Sequence, residues 1–376
     1  MTDHARLTDS PTTEGKARRR YLRPLIFLLS IPLFVLAIEI IFAVVSLDTF
    51  FANRFFLVNR SLDYPEVFMR DPDIFWRFRP SQEINSRFFE GKSYRINSSG
   101  LRGDEIPPRS DKKRLVFLGN SCTFGWGVSE EQTFVKLTER LLNERQAERI
   151  FETINAGIPG FSSFQGRRFY VSDMASLKPE IVFIMFAWND QWAAGGNIPD
   201  NQQKSPPKWI IKSQNLFSRL KIYRLLRKII LSVTEPSLED KLDRQNPVYR
   251  VSLEDFYSNL YALVNFIRSE GSRPILLTSP APSLTKYYPP GSRSQMHYYH
   301  ELYNSQTRLV ARNSRAELID IAGIFDDFND LFDNAPNDPI HFNATGHKVI
   351  AEKISEYLSI TPWLDRMEPV EGAHIN

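Results

Sequence analysis

Between Lys113 and Ser359 short apolar runs alternate with amphipathic segments. An unbroken apolar run is buried on both faces, the condition of a strand in a parallel sheet covered by helices. The runs are Arg114 to Leu118, Phe151 to Asn155, Ile181 to Phe186, Pro274 to Thr278 and Leu318 to Ile321. Between them Thr133 to Arg145, Phe164 to Leu177, Leu253 to Glu270 and Ser294 to Arg312 have helical spacing, and Gly346 to Ser359 makes a final helix. The pattern predicts a three-layer α/β domain over 113–362 with a mostly parallel, five-stranded sheet, whose ligands meet the carboxyl ends of the strands. Residues 195–251 interrupt the rhythm as an insertion. It holds a polar loop, NIPDNQQKSPPK, and then LFSRLKIYRLLRKIILS, read as one basic amphipathic helix with Arg219, Lys221, Arg224, Arg227 and Lys228. Such a helix could lie on an anionic membrane or cap a site; an ordinary packed helix with a solvated basic face is preferred.

The second constraint lies near the N-terminus. Leu25 to Val45 is broken only by Ser30, Pro32 and Glu39. As a helix it would reach roughly 31 Å, one bilayer span. Lys16, Arg18, Arg19, Arg20 and Arg23 precede it while only Arg54 and Arg60 follow nearby. That bias leaves the N-terminus in the cytoplasm and the rest of the chain periplasmic or extracellular. A cleaved signal peptide is the alternative, but its apolar core would be shorter, about 7 to 15 residues. The expected organisation is a cytoplasmic basic tail (1–24), a transmembrane helix (25–45), an extracytoplasmic lead-in of short strands and loops (46–112), the α/β domain and a C-terminal tail (363–376). In the lead-in Trp76, Phe78, Phe88, Phe89 and Tyr94 alternate with polar residues.

Composition narrows the chemistry. Lys and Arg number 47 against 44 Asp and Glu, a net charge of +3 that argues against a nucleic-acid partner. The single Cys122 permits no internal disulfide, and the six His form no HExxH or close pair, so the reading is free of metal and cofactor.

Four strand ends carry reactive residue types. After the first strand, LGNSCTFGWG puts Ser121 in a tight turn at the mouth of the sheet, either as a nucleophile or as a helix cap. Near the C-terminus, NDPIHFNATGH puts Asp338 and His341 three residues apart ahead of the last helix. An imidazole there can take the serine proton while the carboxylate fixes its tautomer. His347, inside the helix, is the rival base and reads as structural. Gly157 and Gly160 of NAGIPG, and Asn189 of AWND, offer NH donors for a developing oxyanion. Cys122 reads as a small buried thiol, Trp188 and Trp192 as packing residues or sugar-stacking platforms, and Arg102 as one half of an ion pair with Glu105 or Asp104 rather than an anion-binding group.

This ordered set resembles the SGNH/GDSL hydrolase superfamily, and YRINSSGLRGDEIP ahead of it is similar to the lead-in of its membrane-anchored bacterial members. The resemblance runs from about Arg114 to Leu358. It implies a flavodoxin-like sheet, Ser121 as nucleophile, His341 and Asp338 as the other triad members, and an oxyanion hole of the Ser121 amide, the Gly160 amide and the Asn189 side chain. Asn120 stands where the family usually has Asp, and Ala187 where it often has Gly. The expected function is that of a membrane-anchored extracytoplasmic serine ester hydrolase acting on an ester-bearing envelope glycan or lipid. An O-acyltransferase on an envelope polysaccharide and a non-catalytic glycan-binding module are the alternatives.

Overall fold

The computed structural model describes residues 13–45, 66–85, 92–108, 111–145, 150–234, 248–282, 294–325, 330–333 and 338–360. Residues 1–12 of the expected N-terminal tail, the whole expected C-terminal tail, and Phe88 and Phe89 lie outside them. The chain divides into two compact units, one of residues 1–63 with 214–235 and one of 64–213 with 236–376. The lead-in from residue 64 onward therefore belongs with the sheet, while the basic helix of the insertion groups with the N-terminal segment and not with the α/β domain.

The larger unit opens with two antiparallel hairpins, β1 (Phe68–Asp71) with β2 (Phe75–Phe78), and β3 (Gln82–Asn85) with β4 (Ser93–Ile96). Then come β5 (Lys113–Gly119), α2 (Ser121–Phe124), α3 (Phe134–Glu144), β6 (Phe151–Gly157), α4 (Ser163–Phe169) and β7 (Ile181–Met185); helices are numbered after α1 of the smaller unit (Thr13–Val45). The insertion contributes α5 (Lys208–Phe217) and α6 (Lys221–Thr234). The domain closes with α7 (Leu253–Ser269), β8 (Arg273–Leu277), α8 (Ser294–Ser314), β9 (Glu317–Ile319), α9 (Ile321–Phe325) and α10 (Ala344–Ile360).

The five central strands lie in the order β6-β5-β7-β8-β9, every neighbouring pair parallel. This is the doubly wound order in which the chain reverses direction across the sheet beside its first strand, opening a crevice at the carboxyl ends. Alternate residues of β5 serve opposite layers: Val116 and Leu118 pack with Leu260, Leu263 and Ile267 of α7. Leu115 and Phe117 pack with Phe134 of α3 and Ile350 and Ile354 of α10. Val67, Phe68, Ile74, Phe78, Tyr94 and Ile96 of the hairpins join the α7 layer. The aromatic alternation of the lead-in is thus a buried face of the main core.

Two expectations shift by local chemistry. The helix expected over Phe164 to Leu177 is α-helical only to Phe169, then widens into a π turn and a 3-10 turn ending at Lys178 with φ 47°. The strand expected to reach Ile321 stops at Ile319, because the Asp320 carboxylate accepts from Thr278 Oγ1 (2.7 Å) and Arg308 Nε (2.9 Å) and its carbonyl starts α9. The insertion is closed at its base, where Ala194 N donates to Val248 O (2.7 Å) and Arg250 N to Trp192 O (2.8 Å).

In the smaller unit, Leu25–Val45 lies within the single helix α1. Among the described residues no helix is long and apolar enough to cross a membrane. The transmembrane helix expected over 25–45 is therefore corrected: the segment is helical, but the described residues show no membrane-crossing helix. Within α1 the apolar residues are interrupted by Pro24, Ser30, Pro32 and Glu39. Its apolar side chains are exposed, among them Phe27, Leu33, Phe34 and Ile40. The single basic helix expected in the insertion is also corrected: it breaks at 218–220 into α5 and α6. The carboxylate of Glu39 accepts the first amides of α6, Lys221 N (2.8 Å) and Ile222 N (2.9 Å). A side-chain acceptor there is an N-cap supplied from another helix, and it fixes where α6 begins.

Candidate active site

Three loops at the carboxyl ends of β5, β6 and β7 meet the loop that precedes α10. After β5, Asn120 is the N-cap of α2, its Oδ1 accepting from Cys122 N at 3.0 Å. An amide oxygen performs this turn-holding task as a carboxylate would, so the Asn in place of Asp leaves the turn intact. Ser121 begins the helix. Its Oγ lies 2.9 Å from His341 Nε2, and His341 Nδ1 lies 2.8 Å from Asp338 Oδ2. The second carboxylate oxygen, Oδ1, accepts from the backbone amides of Ile340 (3.1 Å) and His341 (3.2 Å). Burial works to raise the Asp338 pKa, but the hydrogen bonds and charge of His341 and these amides outweigh it and hold the carboxyl below its usual range. An ionised Asp338 keeps the proton of His341 on Nδ1, leaving Nε2 as an acceptor for the serine hydroxyl. Trp126 stacks on the His341 ring at 5.3 Å and 17°.

Cys122 points elsewhere, its thiol donating to Ile340 O at 3.3 Å, and burial pushes its pKa up. His347 is not a second base. Its Nδ1 accepts the Phe134 amide at the start of α3 (3.1 Å), and it packs between Phe134 and Phe342. Burial, with lesser repulsion from Arg102 and His341, depresses its pKa to about 3, so the ring is neutral.

The two candidate glycines separate. Gly157 donates its N–H to Asn155 Oδ1 (3.0 Å), and a Cβ there would meet Phe124 N at 2.2 Å. It is a close-approach position under the serine turn. Gly160 has φ 82° and lies three residues on, in a loop tied to the serine strand by Ile158 N donating to Gly119 O (3.1 Å). Asn189 Nδ2 donates one hydrogen to Phe161 O (3.1 Å), keeping the carboxamide beside the same loop. Its neighbour Asp190 accepts the Ser163 amide at 2.8 Å, and burial raises its carboxyl to about 7. Ala187, where a glycine is common in this pattern, takes φ 141°.

Other expectations resolve by contact. Trp188 is a packing residue, stacked on His300 at 3.8 Å and donating Nε1–H to Pro280 O at 3.2 Å, whereas Trp192 is exposed. Arg102 makes neither expected ion pair: Asp104 pairs with Arg95 and Lys136, and Glu105 accepts from Ser98. Instead its buried guanidinium donates to the carbonyls of Phe124 (2.8 Å), Gly125 (2.7 Å) and Val128 (2.8 Å), the open end of α2, and lies over the Tyr94 ring at 4.5 Å. A cation at the carboxyl end of a helix satisfies its orphan carbonyls. Burial lowers its pKa to about 10, still charged at neutral pH. The sequence carried no signal for this role, since the carbonyls come from residues 22 to 26 positions away.

The family model described as GDSL-like Lipase/Acylhydrolase matches residues 117–349. No curated protein sequence matches the chain. Solved structures similar to it include a lipase/acylhydrolase from Enterococcus faecalis, 19% identical, with 69% of this chain and 100% of that one covered and a TM-score of 0.44. The α/β hydrolase LAE5 from the metagenome of Lake Arreo is 20% identical, covering 67% and 97%, with a TM-score of 0.43. A catalytic mutant of Axe2, an acetylxylan esterase from Geobacillus stearothermophilus, is 16% identical, covering 68% and 98%, with a TM-score of 0.44. The family match takes in more than half of the chain, and the protein is accordingly a carboxylic ester hydrolase of the GDSL-like, or SGNH, lipase/acylhydrolase family.

Proposed function

We propose that Ser121, His341 and Asp338 form the catalytic triad of this hydrolase. The observation that carries the reading is the unbroken chain from Ser121 Oγ through His341 to Asp338, with links of 2.9 and 2.8 Å. Ser121 Oγ attacks the ester carbonyl as its proton passes to His341 Nε2; ionised Asp338 stabilises the imidazolium. The oxyanion is received by the amides of Ser121 and Gly160 and the free hydrogen of the Asn189 carboxamide. His341 protonates the departing alcohol, and water activated by the same imidazole releases the acid and restores Ser121. Ser121→Ala lowers kcat on a simple acetyl ester about a million-fold. Turnover within tenfold of wild type, or a fluorophosphonate that leaves folded wild-type Ser121 unlabelled, overturns the assignment.

The same reading puts the enzyme at a membrane, with the triad on the extracytoplasmic side and an envelope glycan or lipid ester as substrate. It is supported by the exposed apolar side chains of α1, the cations from Lys16 to Arg23 ahead of it, and a segment, 208–234, with seven Lys and Arg and no acid. Membrane fractionation after alkaline carbonate washing retains the full chain, and protease added outside intact cells removes the α/β domain while sparing an N-terminal tag. A carbonate-extractable chain, or a domain protected until lysis, refutes that placement.

A further inference from the structure

Three successive carbonyls of the loop after β6 are each held by a donor from a different part of the chain. Trp76 Nε1 donates to Pro159 O (3.1 Å), Arg250 Nη1 to Gly160 O (2.7 Å) and Asn189 Nδ2 to Phe161 O (3.1 Å). The first bond concerns the chemistry directly. The Pro159 carbonyl and the Gly160 N–H belong to one planar peptide, and in a trans peptide they point in opposite directions. A donor that fixes the carbonyl fixes the N–H, and polarisation across the amide makes that N–H a stronger donor.

The indole is itself held firmly. Its benzene edge crowds Gly160: a Cβ there would lie 3.0 Å from Trp76 Cζ2, and at φ 82° a side chain at this position is strained. Trp76 packs edge-on against Phe161 at 5.8 Å, with the Arg250 guanidinium 5.7 Å over its ring. Its hairpin is tied down by Arg77, which pairs with Asp71 and Asp173 at 2.8 Å each, and by Gln165 Nε2 donating to Ile74 O at 2.7 Å. Arg250 is braced by Asp200 (2.8 Å) and Gln165 (2.5 Å).

We propose that Trp76, from the lead-in hairpin, is a positioning residue of the oxyanion hole: its N–H sets the plane of the Pro159–Gly160 peptide, and Arg250 sets the next one. This rests on the reading above, in which Gly160 supplies an oxyanion donor. The hairpin then completes the active site from outside the five-stranded domain.

The test uses the purified full-length chain. Trp76→Phe keeps a ring against Gly160 but removes the N–H; replacing Trp76 with β-(3-benzothienyl)alanine, in which sulfur takes the place of the N–H, removes it with the shape retained. Both lower kcat about 10- to 100-fold with KM within twofold, less than the roughly 100- to 1,000-fold of deleting an oxyanion donor outright. Affinity for a trifluoromethyl ketone, which forms an oxyanion on Ser121, falls by the same factor, while affinity for the matching alcohol is unchanged. Wild-type kcat in the benzothienyl variant, or equal loss of affinity for ketone and alcohol, overturns the proposal. Failure of the underlying triad reading has a different signature, an active Ser121→Ala protein.

Discussion

His347 makes the stability of this enzyme dependent on pH in a way that can be worked out beforehand. The ring is enclosed between Phe134 and Phe342 and is neutral in the fold, with its pKa depressed from 6.5 to about 3, chiefly by burial. In the unfolded chain it titrates normally. Above pH 6.5 both states are neutral there and the site contributes fully. As pH falls from 6.5 towards 3 the unfolded chain gains a proton that the fold refuses, so stability is lost at about 1.4 kcal/mol per pH unit. The loss from this group is ~3 kcal/mol by about pH 4.5, a large part of the 5 to 15 kcal/mol typical of a folded chain. His347→Asn places an amide oxygen where Nδ1 accepts the Phe134 amide, without a titrating group. Urea unfolding of the full-length chain, followed by tryptophan fluorescence at about pH 7 and pH 4.5, compares the two proteins, and the carboxylates they share cancel in the difference. The variant is expected to start less stable at neutral pH but to lose ~3 kcal/mol less on acidification. Parallel pH dependences in the two proteins refute a neutral, buried His347.

Asp338→Asn keeps the turn but removes the charge facing His341 Nδ1, and kcat on an acetyl ester is expected to fall about 10⁴-fold with little change in melting temperature; a loss under tenfold contradicts the triad. Gly157→Ala drives a methyl into the serine turn at Phe124 N, and the variant is expected to yield little folded protein, read by circular dichroism and fluorophosphonate labelling of what remains. Ala187→Gly releases a backbone held at φ 141° and is expected to raise stability by about 1 kcal/mol, read as a shift in urea midpoint. Cys122, buried with its pKa raised, is expected to resist iodoacetamide at about pH 8 until the protein is unfolded.

What could be read in the sequence divides along physical lines. The five strands were visible because burial on both faces leaves only apolar residues, and the observed strands differ from the expected ones by one or two residues at their ends. Ser121, Asp338 and His341 were visible because each reactive type sat at a strand end or just before a helix. The roles that escaped notice depend on partners far along the chain. Arg102 is beside acidic residues in sequence but spends its donors on carbonyls of the serine turn. Trp76 looked like one aromatic of an alternating strand, yet its N–H is committed to Pro159, 83 residues away. The break between α5 and α6 has no glycine or proline to announce it, since the capping carboxylate is contributed by residue 39.

That carboxylate ties the fate of two distant stretches of chain. An acid amid isoleucines and phenylalanines is tolerable only with donors at hand, and here they are the unpaired amides that every helix must offer at its start. Each element thereby cancels the other's liability: α1 accommodates Glu39, and α6 acquires a defined beginning. The inserted helix and the N-terminal one therefore form a matched pair, gained or lost together, and shortening either would strand a polar group on the other.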